Sequence, residues 1–210
     1  MPPFELLAAF LAASVLVTLA PGPDNLMVLS LGISRGRAAG IGFGLGCAAG
    51  CATHTLWAAV GIGALVMASD LAFAGLKLAG AAYLAYLGVL SVRHAGAATL
   101  STGGPSVAES PWLYFRRGFV ANAVNPKVAV FFLAFLPQFA DPARGPLWPQ
   151  MLLLGVLFAA QTVLVFGGIG WFAGALGRRL QRQPGIARWL DRFAGVVFLG
   201  LAVRLATASR

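Results

Sequence analysis

Apolar residues run along this chain in six long stretches, at about 4–33, 38–68, 70–93, 113–139, 147–176 and 186–206, and polar residues collect between them. Stretches of about 20 apolar residues are long enough to cross the hydrocarbon core of a bilayer as helices. The alternating pattern of an outer-membrane barrel is absent. The gaps are short except for 94–112, where Gly96, Gly103, Gly104, Pro105 and Pro111, with Ser and Thr, read as a flexible loop. The pattern predicts an all-α membrane protein, one transmembrane domain over 1–210, with six transmembrane helices in two groups of three, about 4–93 and about 113–206.

The two groups open alike. The first stretch is broken near its middle by Pro21-Gly22-Pro23-Asp24-Asn25, and the fourth by Asn125-Pro126-Lys127. Each proline removes a backbone donor and clashes with the preceding turn. Gly22 lets the chain take the angles that such a break requires. Each group then continues with a second and a third helix. Three crossings is an odd number, so the second group enters from the opposite side. The expectation is a 3+3 inverted repeat with Pro-broken helices 1 and 4, an architecture in which substrates bind near the midplane at the breaks.

Both breaks carry charge. An Asp near the centre of a membrane helix costs about 2.5–3.5 kcal/mol, so Asp24 is expected to face a partner or a cavity. Its other reading is an N-cap on a kinked helix. Lys127 has roughly a dozen apolar residues on either side, too many for its stem to reach an interface. The simplest expectation is that Asp24 and Lys127 approach one another or share a hydrated cavity. A zwitterionic amino acid suits such a site, its ammonium towards Asp24 and its carboxylate towards Lys127 and half-helix amides. Either charge is also a candidate for proton coupling.

Composition agrees with a membrane protein. Of 210 residues 59% are hydrophobic and 10% charged, against about 25% charged in soluble domains. The formal net charge of +9 does not point to nucleic acid, because the arginines fall in short gaps without interleaved aromatics. Arg35 and Arg37, then Arg93, Arg116 and Arg117, then Arg178, Arg179, Arg182 and Arg188 occupy alternate gaps, which places those gaps in the cytoplasm. The opposite gaps hold Asp70, and Asp141 with Arg144. Six spans then leave both termini outside, although Arg204 and Arg210 oppose that placement of the C-terminus. A re-entrant first stretch with five full spans satisfies the same loop charges. Residues 1–20 carry Glu5 and no Lys or Arg, so they read as a first membrane helix rather than a signal peptide.

Weaker signals each have a bland reading. His54, between Thr53 and Thr55, is either a proton relay or a packed imidazole bonded to a nearby carbonyl. Asn122 and Gln161 read as hydrogen bonds between helices, Lys77 as an interface anchor, and Tyr83 and Tyr86 as packing. Gly42, Gly46 and Gly50, and likewise Gly170 and Gly174, stand four apart, as close helix approach requires; contact in a homodimer is the other use of such a stripe. Cys47 and Cys51 share a helical face. They read as small packing residues, while a heavy-metal or other cation exporter, or a membrane thiol-redox protein, would need them as ligands or reactants. No Cys-x-x-Cys, His-Glu-x-x-His, Walker A or nucleotide-binding glycine loop is present, so neither a metal site nor a cofactor is expected.

Several motifs together resemble one family. Pro21-Gly22-Pro23-Asp24-Asn25, Arg35-Gly36-Arg37 and the glycine run to His54 resemble the first half of the LysE/RhtB amino-acid exporters. Lys77-Leu78-Ala79-Gly80-Ala81-Ala82-Tyr83-Leu84-Ala85-Tyr86-Leu87-Gly88 is similar to the family's third-helix signature. Gly118-Phe119 through Asn125-Pro126-Lys127, with Phe131-Phe132 and Pro137-Gln138-Phe139, is similar to its fourth. The resemblance implies a multi-pass inner-membrane protein that is not an enzyme. It implies export of an amino acid or derivative from the cytoplasm, driven by proton antiport. The RhtB branch, with neutral homoserine-, threonine- or leucine-like cargo, looks closest. The site residues it carries over are Pro21, Gly22, Pro23, Asp24, Asn25, Asn125, Pro126 and Lys127.

Overall fold

The computed structural model describes residues 3–62, 69–96 and 109–208, and within them the chain is helical without a strand. The helices are α1 (Phe4–Leu19), α2 (Pro23–Ser34), α3 (Arg37–Trp57), α4 (Asp70–Arg93), α5 (Pro111–Ala123), α6 (Pro126–Val130), α7 (Leu147–Arg182) and α8 (Pro184–Thr207). Most of the expected loop 94–112 and the end of the second apolar stretch, residues 97–108 and 63–68, lie outside the described residues. The other stretches reappear as helices within a few residues of their expected bounds.

Both expected breaks are real. α1 and α2 meet at 58°, and α5 meets the Pro126–Phe139 segment at 51°. The cause is local. α2 and α6 each start with proline at the first helical position, where no N–H is needed. Ala20 and Gly22 hold extended ψ angles of 124° and 177° between the two helical pieces. Past α6 the chain runs through a π turn, Phe131–Phe135, and a 3-10 turn, Leu136–Phe139.

Among the described residues three helices are long and apolar enough to cross a bilayer: Arg37–Gly61, Leu71–Arg93 and Leu147–Leu180. Counting each bent pair as one span raises the number to five. α8 stands apart because Arg188, Asp191, Arg192 and Arg204 interrupt its apolar surface. At 36 residues, α7 is about 54 Å long at 1.5 Å per residue, so its arginine-bearing end extends past any bilayer core.

Polarity is arranged from the inside out. Leu71, Val124, Leu164 and Trp57 are among many large apolar side chains exposed on the surface, while Asp24, Asn122, Lys127 and Gln161 are buried. A surface of that kind belongs in lipid, and it makes the chain a multi-pass membrane protein. Within the bundle α3 packs on α5 and α7, α4 on α8, α2 on α3 and α7, and α1 on α7 and α8. Part of the core is aromatic. Phe10, Phe131, Phe139 and Phe158 meet at centroid distances of 5.2–6.2 Å, with Phe132 and Phe135 beside them.

Glycines set how closely the helices approach. The stripe Gly42, Gly46 and Gly50 of α3 lies against the backbone of α5 rather than at the surface: a Cβ on Gly46 would strike the Phe115 carbonyl, and one on Gly118 would strike that of Phe43. Small residues permit this backbone-to-backbone contact, which replaces hydrophobic attraction as a packing force in lipid. Gly170 similarly abuts Ile41, whereas Gly174 has only the tip of Arg178 nearby, at 3.6 Å.

Gly46→Ala is expected to destabilise the purified protein by about 1–3 kcal/mol, the usual cost of overpacking. Gly167→Ala, which meets nothing within 4 Å, is expected to leave the melting temperature unchanged or raised. Thermal melts in detergent followed by size exclusion check both.

Candidate functional site

The break in α1 ends a helix inside the protein, and a helix end leaves its last carbonyls without partners. Here they find partners in other segments. The Lys127 ammonium, carried on α6, donates to the Ala20 carbonyl at 3.0 Å and to that of Val17 at 3.4 Å. Asn25 Nδ2, on α2, donates back across the break to the Thr18 carbonyl at 2.6 Å. The Leu16 carbonyl accepts from the Ala20 N–H at 3.0 Å. Lys127 occupies the first turn of its own helix, where the dipole opposes a cation, and the C-terminal end of α1, where the dipole favours one. The Phe198 ring, 6.0 Å from the ammonium, adds a further contact of the same sign.

Gly22 makes room for this arrangement. Its φ of −172° suits any residue, so the reason for glycine is space: a Cβ would lie 2.8 Å from Lys127 Nζ and 3.4 Å from Cε. The break therefore needs Pro21 and Pro23 to stop and restart the helix, and Gly22 to admit the ammonium.

Asp24 is 3% exposed and lies in the first turn of α2, the end where a helix dipole favours an anion. It does not cap its own helix; Gly22 is the N-cap residue and no side chain bonds there. Its Oδ2 instead accepts from Asn122 Nδ2 of α5 at 2.8 Å. The Asn122 carbonyl in turn accepts from His54 Nε2 of α3 at 2.9 Å, and its Oδ1 accepts from the Cys51 thiol at 3.6 Å. A carbonyl accepts only, so the His54 tautomer carries its proton on Nε2. The chain Asp24–Asn122–His54 thus joins α2, α5 and α3, and the bland reading of His54, an imidazole bonded to a carbonyl, is present in the structure. Asn125 caps α6, its Oδ1 accepting from the Lys127 N–H at 3.0 Å.

The two opposite charges share the site without pairing. Among the described residues the ion pairs are Arg117–Glu109 and Arg144–Asp141, both between solvent-accessible side chains. The Arg117 guanidinium holds the Glu109 carboxyl below its ordinary range. Asp24 and Lys127 are each held by neutral partners instead.

Sequence reasoning gathered Asp24, Asn25, Asn125, Lys127 and His54, and the fold brings all five to the breaks or beside them. It missed Ser14 and Thr18, one turn apart on α1 and both buried. Thr18 Oγ1 accepts from Gln161 Nε2 of α7 at 2.8 Å. The available signal was a Ser/Thr pair four residues apart in an otherwise apolar stretch. Asn122 and Gln161 are the helix-to-helix hydrogen bonds expected of them. Cys47 and Cys51 are buried free thiols on α3.

An inside-out helical bundle with buried charge at two broken helices defines a membrane transport protein by class. The profile of the LysE type translocator family matches residues 15–209. The chain is 37% identical over 200 residues, 95% of its length and 96% of the relative's, to an uncharacterized membrane protein of Vibrio cholerae. It is 33% identical over 205 residues, 98% of each chain, to a homoserine/homoserine lactone efflux protein of Salmonella typhimurium. It is 27% identical over 206 residues, 94% of its length and 93% of the relative's, to a leucine efflux protein of Salmonella choleraesuis. No solved structure matches the chain. The chain belongs to the LysE family of translocators, and it is a multi-pass inner-membrane protein.

Gly22→Ala is expected to push the Lys127 ammonium off the Ala20 carbonyl. The cost is about 1–3 kcal/mol of stability, the range for a buried polar group left without its partner. A thermal melt of the purified variant beside the wild type reads it, and an unchanged melting temperature would count against the packing described.

Proposed function

We propose that this protein exports a neutral amino acid or close derivative, of the homoserine, threonine or leucine kind, from the cytoplasm in exchange for protons. The observation that carries the reading is the pair of buried opposite charges, Asp24 and Lys127, held by neutral partners and not by each other. Export of a zwitterion in exchange for protons needs a cation to meet the cargo's carboxylate and a separate group to carry the proton. A direct salt bridge would have to be broken before cargo entered, whereas amide and carbonyl partners exchange at lower cost. The names of the efflux relatives support the class of cargo.

The roles divide by chemistry. Lys127, with the Asn125 side chain beside it, offers donors to a carboxylate. Asp24 at the end of the Asn122–His54 chain is the group to take up and release the coupling proton. A carboxylate exchanging its Asn122 partner for a proton changes the charge of the site.

The architecture proposed for this work is six crossings as a three-plus-three inverted repeat within one transmembrane domain. Support comes from the pairing of equivalent elements, α3 with α7 and α4 with α8, and from the matched bends of 58° and 51°. Contacts near the termini favour a first stretch that crosses and does not return. Phe10 of α1 packs on Phe139, Arg204 of α8 lies over the same ring, and Lys77 donates to the Ala208 carbonyl at 2.6 Å. Arg35 and Arg117 are gathered at the opposite end around Glu109.

Proteoliposomes preloaded with a panel of amino acids test the proposal. Efflux of homoserine, threonine or leucine that rises with an imposed proton gradient is expected, and efflux indifferent to the gradient for every amino acid would overturn the antiport reading. Asp24→Asn is expected to abolish uphill transport while the protein still inserts and elutes as a single species.

A further inference from the structure

Among the described residues, four buried polar side chains around the breaks carry atoms with no hydrogen-bond partner: Ser14 Oγ, Asn25 Oδ1, Asn125 Nδ2 and Gln161 Oε1. Their residues are 0%, 8%, 4% and 7% exposed. An unmet buried polar atom is costly, so a group of them marks a place that something else fills.

Which atoms are free follows from the partners of the others. Asn25 donates to the Thr18 carbonyl, an acceptor only, so the atom there is Nδ2 and the free one is the oxygen. Thr162 Oγ1 spends its proton on the Phe158 carbonyl at 2.8 Å, so it accepts from Gln161 Nε2 at 2.9 Å, and Gln161 Oε1 is left free. Asn125 Oδ1 accepts from the Lys127 N–H, which leaves Nδ2 free. The amide orientations are thereby fixed, and the free atoms sort by type. Two acceptors, Asn25 Oδ1 and Gln161 Oε1, belong to side chains anchored on one residue, Asn25 on the Thr18 carbonyl and Gln161 on the Thr18 hydroxyl. Ser14 stands one turn before it. A free donor, Asn125 Nδ2, lies beside Lys127, whose ammonium has used two of its three protons.

From this we infer that Asn25 Oδ1 and Gln161 Oε1, with Ser14 Oγ, form the subsite for the ammonium of an amino-acid cargo, separate from the Asp24 carboxylate. The inference rests on the export reading above. An ammonium offers donors and no acceptor, which matches two unpartnered amide oxygens. Asp24 has its Oδ2 engaged by Asn122 and stays available for the proton. The cargo then spans the break, its ammonium towards Thr18 and Gln161 and its carboxylate towards Lys127 and Asn125. Neutral oxygens hold it without the strong desolvation penalty of a second buried carboxylate, which suits a site that must also release its cargo.

The test compares L-leucine with its α-hydroxy acid, and L-homoserine with its own, as competitors of amino-acid efflux in proteoliposomes. The hydroxyl brings one donor and no charge to the two acceptors. In Gln161→Met the half-saturating concentration of the amino acid is expected to rise about tenfold, a loss of about 1.4 kcal/mol, while that of the hydroxy acid changes by about twofold or less. Gln161→Glu keeps an acceptor oxygen and adds charge, and is expected to sharpen the preference for the ammonium; it serves also where Gln161→Met fails to fold. Equal shifts for both compounds, or a preference unmoved by either variant, would reject the subsite and leave these atoms to ordered water. A wild-type protein that exports none of the amino acids would instead bring down the export reading itself.

Discussion

The structure depends on what happens to the carbonyls at the interrupted end of α1. A helix that stops inside a membrane protein leaves polar groups with no water to meet them, and each costs as much as a lost hydrogen bond. Lys127 and Asn25 meet them from two other segments. That one requirement ties α1 to α6 and to α2, fixes where a lysine must stand in an apolar stretch, and dictates a residue without a side chain at Gly22. The break is therefore held open by long-range contacts rather than by the prolines alone.

Glycine packing supplies the frame that makes this possible. α3 lies against α5 so closely that backbone meets backbone at Gly46 and Gly118. The close approach brings Asn122 of α5 within reach of both His54 on α3 and Asp24 on α2. Cys51 Sγ donates into the same network, so the thiol serves as a packed polar group beside Asn122. On the other side Gln161 and Thr18 tie α7 to α1. Buried polar contacts thus run from helix to helix through the interior of the bundle, beside a cluster of packed aromatic rings.

Much of this was legible in the sequence, because bilayer physics writes in a coarse alphabet. Apolar length gave the helices, Pro21, Pro23 and Pro126 gave both breaks, and the cost of an intramembrane charge singled out Asp24 and Lys127. The glycine stripe on α3 was legible as a packing face. Partner choice was not. Whether Asp24 meets Lys127, caps its own helix or meets Asn122 depends on how three helices pack, and periodicity carries no register between helices. The same blindness hid Ser14 and Thr18, whose hydroxyls look like tolerated polar residues until α7 places Gln161 opposite them. The last apolar stretch shows the converse: it forms its helix as expected, yet its charges keep it out of the set of plainly membrane-crossing ones.

The central claim is that the lysine closing the end of α1 is also the group that meets the cargo's carboxylate. Equilibrium binding of radiolabelled L-leucine, L-homoserine and L-threonine to purified wild-type and Lys127→Gln protein tests it most directly. A glutamine amide retains a donor for the carbonyls of α1 but carries no charge. The account predicts a variant that elutes as a single species and binds at least roughly tenfold more weakly, a loss of about 1.4 kcal/mol or more. Unchanged affinity in a well-folded Lys127→Gln protein would contradict it and leave Lys127 as a helix cap alone.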